Sequence, residues 1–195
     1  MPHELCLEAI RLGLVKFGRF KLSSGIESSY YVNFRESLLM PRYVKSLAKE
    51  LGALIIEEGV EALVGVAVAG ALIASYIGAL YDLPVTFVRS EPKNHGLSRE
   101  VEGDVRGMEV AIVDDVLTTG GTISRAYEVL VRAGARPRLA AVIFDRQQGG
   151  GRVVRELGLK LVSLCRIADL ASEALRRGLI AEEQFSLIMS QVIEH

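Results

Sequence analysis

Apolar residues recur at helical spacing over residues 3–17 (HELCLEAIRLGLVKF), which predicts an amphipathic helix. Residues 19–34 (RFKLSSGIESSYYVNF) instead form two short extended runs around Ser23-Ser24-Gly25, the pattern of a hairpin. Pro41 opens a second helix reaching about Glu58, because proline fits a helix's first turn. From there the chain alternates. Apolar run 62–68 precedes a helical 70–81, and run 85–89 (VTFVR) precedes a polar loop. Run 109–113 (EVAIV) leads into a helical 121–133, run 138–144 (RLAAVIF) into a Gly-rich loop, and run 160–164 (KLVSL) into a helical 166–177. A last helix, about 181–193, follows Gly178 and is expected to cap the core. Short β-rich runs separated by helices predict an α/β fold, a parallel sheet covered on both faces. Ligands of such sheets bind in loops at the carboxyl ends of the strands.

Length and composition change this picture little. The 195 residues, half of them apolar, suffice for one domain with a substantial core. The expected division is an N-terminal helix and hairpin over 1–40, an α/β core over 41–180 and a C-terminal helix over 181–195. A net charge of -1 and a pI near 6.3 give no general attraction to nucleic acid or to an anionic membrane. The 20 residues between Glu61 and Asp82 carry no charge, about the length that spans a bilayer. They are interrupted by Gly65, Gly70 and Gly78 and lack a flanking basic cluster, so a buried strand, a turn and a packed helix explain them better. Glu4, Glu8, Arg11 and Lys16 break up the apolar region that a signal peptide requires. Cys6 and Cys165 stand far apart without a partner motif, and are expected as reduced, buried thiols in a cytoplasmic protein.

The chemistry concentrates in Val110 to Ile123. An apolar strand ends in Asp114-Asp115, followed by Val116-Leu117 and the turn Thr118-Thr119-Gly120-Gly121-Thr122. Such a turn presents successive N–H groups and hydroxyls at the positive end of a helix, which makes an anion cradle. Gly120 and Gly121 are expected to let the backbone approach a phosphate without a Cβ in the way. Two adjacent carboxylates would repel that anion, but they suit vicinal hydroxyls or a cation. A sugar carrying both a phosphate and a diol satisfies both halves. The plainer alternative is an acidic strand end followed by an ordinary helix cap at Thr118 or Thr119. No Gly-Lys-Ser/Thr occurs, which excludes a Walker nucleoside-triphosphate loop.

These residues resemble the phosphoribosyltransferase family, whose donor motif is such a strand, acid pair and T-x-G-G/T-T-like loop. The resemblance implies that Asp114 and Asp115 bind the ribose 2′- and 3′-hydroxyls of phosphoribosyl pyrophosphate. Thr118, Thr119, Gly120, Gly121 and Thr122 would hold its 5′-phosphate, with Val116 and Leu117 in the same donor-binding segment. Arg89-Ser90-Glu91-Pro92-Lys93-Asn94-His95-Gly96 is similar to the catalytic loop of the orotate phosphoribosyltransferases, R-K-x-x-K-x-H-G. Arg89, Lys93 and His95 match, and Ser90 stands where the family usually has Lys. Cations there would neutralise a departing pyrophosphate, and the loop is long and polar enough to act as a lid. In that family the loop reaches a neighbouring subunit's site, so the resemblance implies a homodimer sharing the 89–104 loop.

Arg146, after a buried strand, can hold a carboxylate bidentately, and the resemblance assigns it to orotate together with Thr118. A surface Arg paired with Asp145 is the alternative. The segment KLSSGIESSYYVN is similar to the family's N-terminal hood, with Tyr30 or Tyr31 able to pack on a flat base or into the core. Ser23 replaces a frequent base-side Lys, and Lys21 is placed to compensate. Val66-Ala67-Val68-Ala69-Gly70 sits where the family has its pyrophosphate loop. The implied function is transfer of phosphoribose to orotate in pyrimidine biosynthesis, with Lys93, His95 and Asp115 as catalytic residues. Magnesium would be held mainly by substrate pyrophosphate and ribose rather than by a protein metal site.

Three rivals remain. A regulator of the same fold that senses the ribose donor would want a DNA-binding appendage or a basic face. A nicotinamide-dependent enzyme would read Gly65 to Gly70 as a glycine fingerprint, but its middle glycine is Ala67. A phosphoribosyltransferase for another base is opposed only by Arg146 and the 89–96 loop.

Overall fold

The computed structural model describes residues 4–22, 25, 27–89 and 100–193. Helix α1 (Glu4–Arg11) is followed by the antiparallel strands β1 (Val15–Lys21) and β2 (Glu27–Val32), and by a short 3-10 turn over Phe34–Leu39. Then come α2 (Pro41–Ile56), β3 (Ala62–Val66), α3 (Ala69–Tyr81), β4 (Val85–Val88), β5 (Glu109–Leu117) and α4 (Gly121–Arg132). The chain continues through β6 (Arg136–Asp145), α5 (Gly150–Glu156), β7 (Lys160–Arg166), α6 (Ile167–Arg176) and α7 (Glu182–Met189). Strands β3 to β7 form one parallel sheet in the order β4-β3-β5-β6-β7.

The unbroken apolar runs of β3, β5 and β6 follow from burial on both faces. Leu63, Ala111, Val113, Leu139, Ala141 and Ile143 pack with α1, α2, α3 and α6. The alternate residues Val64, Val110, Ile112, Ala140 and Val142 pack with α4 and α5. This is the period-two division that a doubly covered sheet requires. The uncharged stretch after Glu61 is β3 and α3, as composition suggests, and among the described residues no helix is long and apolar enough to cross a membrane.

Three expectations need correction. The helix expected over 3–17 stops at Arg11, where the N–H groups of Gly13 and Leu14 return to the carbonyls of Ile10 and Ala9. The apolar residues after it belong to β1, which pairs with β2 instead of extending the helix. The Gly-rich segment after β6 contains the helix α5, too short for its period to be read from sequence. Finally, Cys6 and Cys165 are not free thiols. The fold brings α1 against β7 with a Cα–Cα distance of 5.7 Å, and the two are joined as a disulfide. A separation of 159 residues hid that proximity, and cysteine usage no longer argues for a reducing compartment.

Candidate active site

The carboxyl ends of β3, β5 and β6 open into a cleft. Strand β5 runs to Leu117, four residues past the expected end, because β6 keeps pairing with it up to Leu117↔Asp145. Its pairing with β3 ends at Gly65↔Val113, so the other edge of Asp114 to Leu117 is released from the sheet. Two compartments meet there. One, about 310 Å³, is lined by Arg89, Asp114 and Thr118 to Thr122. The other, about 710 Å³, is lined by Lys21, Tyr31, Arg35, Ala67, Asp115 and Arg146 among others. Val66, Asp114, Val116, Thr118 and Thr122 belong to both, so the acid pair stands between them.

The smaller compartment ends on the start of α4. The capping residue is Gly120 and not a threonine, so the cap position itself offers the first N–H groups no side-chain acceptor. The ordinary-cap alternative is thereby set aside, and the uncapped helix end is suited to an anion. The two glycines have different reasons to be there. Gly120 has φ +87°, and a Cβ on it would lie 2.8 Å from Val153, so the fold itself demands glycine. A Cβ on Gly121 would meet nothing within 4 Å, so no protein atom needs that space. Leu117 is buried, and its carbonyl accepts from Arg146 N–H at 3.0 Å, which ties the end of β5 to the turn after β6.

Asp114 is 8% exposed. Burial, and then the charge of Asp115, hold its carboxyl well above the ordinary carboxylate range, against the opposing pull of Asp115 N–H and Arg35. Asp115 N–H donates to Asp114 Oδ1 at 2.9 Å, and Val116 N–H donates to Asp115 Oδ1 at 2.9 Å. A raised carboxyl pKa means that the folded state binds the proton more tightly than the unfolded chain. Its stabilising contribution is therefore present in acid and lost as pH rises through the raised value. Asp114→Asn is accordingly expected to melt higher than the parent at neutral pH without ligand, the gap closing in acid. An equal gap at both pH values would refute this.

Beside the acids, the Ala67-Val68 peptide is cis, and α3 begins at Ala69. A Cβ on Gly70 would lie 2.2 Å from Val113 O, so this turn is pressed directly against β5. Arg89 reaches the smaller compartment, but its Nε donates to Glu102 Oε1 at 2.9 Å. The chain returns beside β4, with Val88 bridging Val101 antiparallel and Thr86 hydroxyl bonded to the Glu102 carbonyl. Lys93, His95 and Ser90, like Ser23 in the hairpin, lie outside the described residues.

On the base side, Arg146 is 1% exposed and is not a surface arginine. Its guanidinium lies 4.0 Å from the ring centre of Tyr30, and Nη2 donates to Ser28 Oγ at 2.8 Å. Among the described residues Nε has no hydrogen-bond partner, and burial lowers the pKa of the group. Tyr30 is thus the platform beneath Arg146, whereas Tyr31 lines the cleft and packs on Phe20 at 5.6 Å between ring centres. Arg35, Lys16 and Arg125 also line the cleft, and sequence reasoning missed all three. Of the three, only Arg125, four residues into α4 from Gly121, stands close enough to the Gly/Thr turn to be found from sequence. Lys21 does line the larger compartment.

Residues 35–157 match the family described as the phosphoribosyl transferase domain. An orotate phosphoribosyltransferase of Pyrobaculum islandicum is 34% identical over 187 residues, covering 95% of this chain and 96% of the relative. The crystal structure of orotate phosphoribosyltransferase from Aeropyrum pernix superposes with a TM-score of 0.76 at 34% identity, covering 91% of this chain and 99% of that one. The UMP synthase of Leishmania donovani gives a TM-score of 0.85 at 25% identity, covering 96% of this chain, which spans only 41% of the longer protein.

Proposed function

Because this chain belongs to the phosphoribosyltransferase family, among its orotate phosphoribosyltransferases, we propose that its cleft joins phosphoribosyl pyrophosphate to orotate. The products are orotidine 5′-phosphate and pyrophosphate, a step of pyrimidine biosynthesis. One observation carries this reading: a single cleft places the acid pair between an uncapped helix end and a buried arginine without a carboxylate partner among the described residues. The 5′-phosphate occupies the N–H groups at the start of α4, Asp114 and Asp115 take the ribose hydroxyls, and Arg146 takes the orotate carboxylate with Thr118 beside it. Turnover with orotate against uracil, hypoxanthine and adenine tests the assignment. Preference for any base without a carboxylate refutes it.

In the reaction, orotate N1 gives up its proton to solvent and forms a bond to ribose C1 as the C1–O bond to pyrophosphate breaks. Positive charge develops on the ribose ring and negative charge on the leaving group. Asp115 favours the first, and Lys93 and His95 with Arg89 stabilise the second. Lys93→Ala is expected to lower kcat by roughly 10²–10³ with smaller effects on KM. A near-native kcat removes Lys93 from the mechanism. Asp114 and Asp115 are the residues of this cleft that would stand beside a magnesium ion. Substrate oxygens would supply the remaining ligands, and the ion would neutralise pyrophosphate charge. The resemblance to the family supports a homodimer that shares the loop over 89–104, whose described ends pair through Val88 and Val101.

Gly121 supplies a further test. Gly121→Ala meets no protein atom and keeps the fold, but it fills space at the phosphate. The KM for phosphoribosyl pyrophosphate is expected to rise on the order of tenfold at unchanged melting temperature. An unchanged KM would place the phosphate elsewhere.

A further inference from the structure

Arg146 is held from behind by the end of the chain. The Tyr30 ring centre lies 4.0 Å from the guanidinium carbon and supports it from one side, which does not by itself fix its position across the ring. The guanidinium's short hydrogen bond is to Ser28 Oγ at 2.8 Å, with Tyr30 O more distant at 3.5 Å and Nε unpartnered among the described residues. Ser28 is itself buried, and its hydroxyl lies 2.6 Å from Tyr30 O and 2.8 Å from Gln191 Oε1. A hydroxyl carries one proton, so donating to either acceptor leaves a lone pair for Arg146. The Gln191 amide then spans two segments. Oε1 also accepts from Gln148 Nε2 at 3.1 Å, two residues beyond Arg146, and Nε2 donates to Ser29 Oγ at 2.8 Å on β2. Two residues further on, Ile193 N–H donates to Gln147 O at 2.9 Å. One side chain thus pins the hairpin strand to the turn that carries Arg146.

We propose that Gln191 is a positioning residue for Arg146, and that segment 190–193 thereby sets affinity for the carboxylate of the base. The proposal rests on the reading of Arg146 as the carboxylate ligand. Bidentate capture requires both guanidinium N–H groups in the carboxylate plane, and displacement by about 1 Å costs up to ~10² in productive binding.

Steady-state kinetics of the full chain test it. Gln191→Ala is expected to raise the KM for orotate roughly tenfold, with the KM for phosphoribosyl pyrophosphate and kcat at saturating orotate unchanged. Ser28→Ala removes the connecting hydroxyl and is expected to reproduce the shift even if Gln191→Ala folds poorly. A parent-like orotate KM in Gln191→Ala or Ser28→Ala overturns the proposal, as does equal weakening for both substrates. Arg146→Met, measured in parallel, separates the two layers. If it too binds orotate normally, the carboxylate reading fails; if it alone loses orotate, only the positioning role fails.

Discussion

Replacement of Arg146 by Met is expected to leave the protein at least as stable as the parent while raising the KM for orotate roughly 10²–10³-fold. The guanidinium is 1% exposed, has no carboxylate partner among the described residues, and leaves Nε without a hydrogen bond. Burial disfavours its charged form, and lowers its pKa, so the folded protein bears a desolvation cost that no internal anion offsets. A methionine of similar length keeps the packing on Tyr30 and removes that cost. On the proposed reading, orotate loses the cation that neutralises its carboxylate, worth about 2–5 kcal/mol for a desolvated charge pair. Thermal melts alongside orotate kinetics check both halves. A lower melting temperature would mean that Arg146 is structural, and a parent-like KM would remove it from base recognition.

The second large effect belongs to the disulfide. Cys6→Ala/Cys165→Ala is expected to melt roughly 10–20 °C lower than the oxidised parent. The bond closes 159 residues, nearly the whole chain, so it restricts the unfolded ensemble strongly. Chain-entropy reasoning gives about 5 kcal/mol for a loop of this length. Both cysteines are fully or almost fully buried, so native kinetic constants at moderate temperature are expected to remain unchanged. Melting curves of the double variant and the parent decide it. A melting temperature indifferent to the substitution would show that the cross-link contributes nothing.

The two substitutions draw on opposite sides of the molecule's design. The disulfide ties α1 to β7, away from the chemistry, whereas Arg146 is a destabilising group kept in a site. Asp114 is another, since burial beside Asp115 raises its pKa and makes its ionised form costly without a ligand. On the proposed reading, the charged substrate would offset both costs.

By itself the sequence determined the parallel α/β architecture and the donor motif, because both are written in local pattern. Buried strands must read as unbroken apolar runs, and an acid pair followed by a Gly/Thr turn is contiguous over Asp114 to Thr122. The tertiary structure alone decided what depends on residues far apart in the chain. It decided that Cys6 meets Cys165, that Tyr30 supports Arg146 while Tyr31 faces the cleft, and that Gln191 reaches Ser28. It also decided where β5 ends, because strand length follows the neighbour that keeps pairing and not the last apolar residue. Period and composition report a residue's own environment along one element. Which elements touch is set by sheet order and by the packing of helices on its two faces, and no short window of sequence carries that.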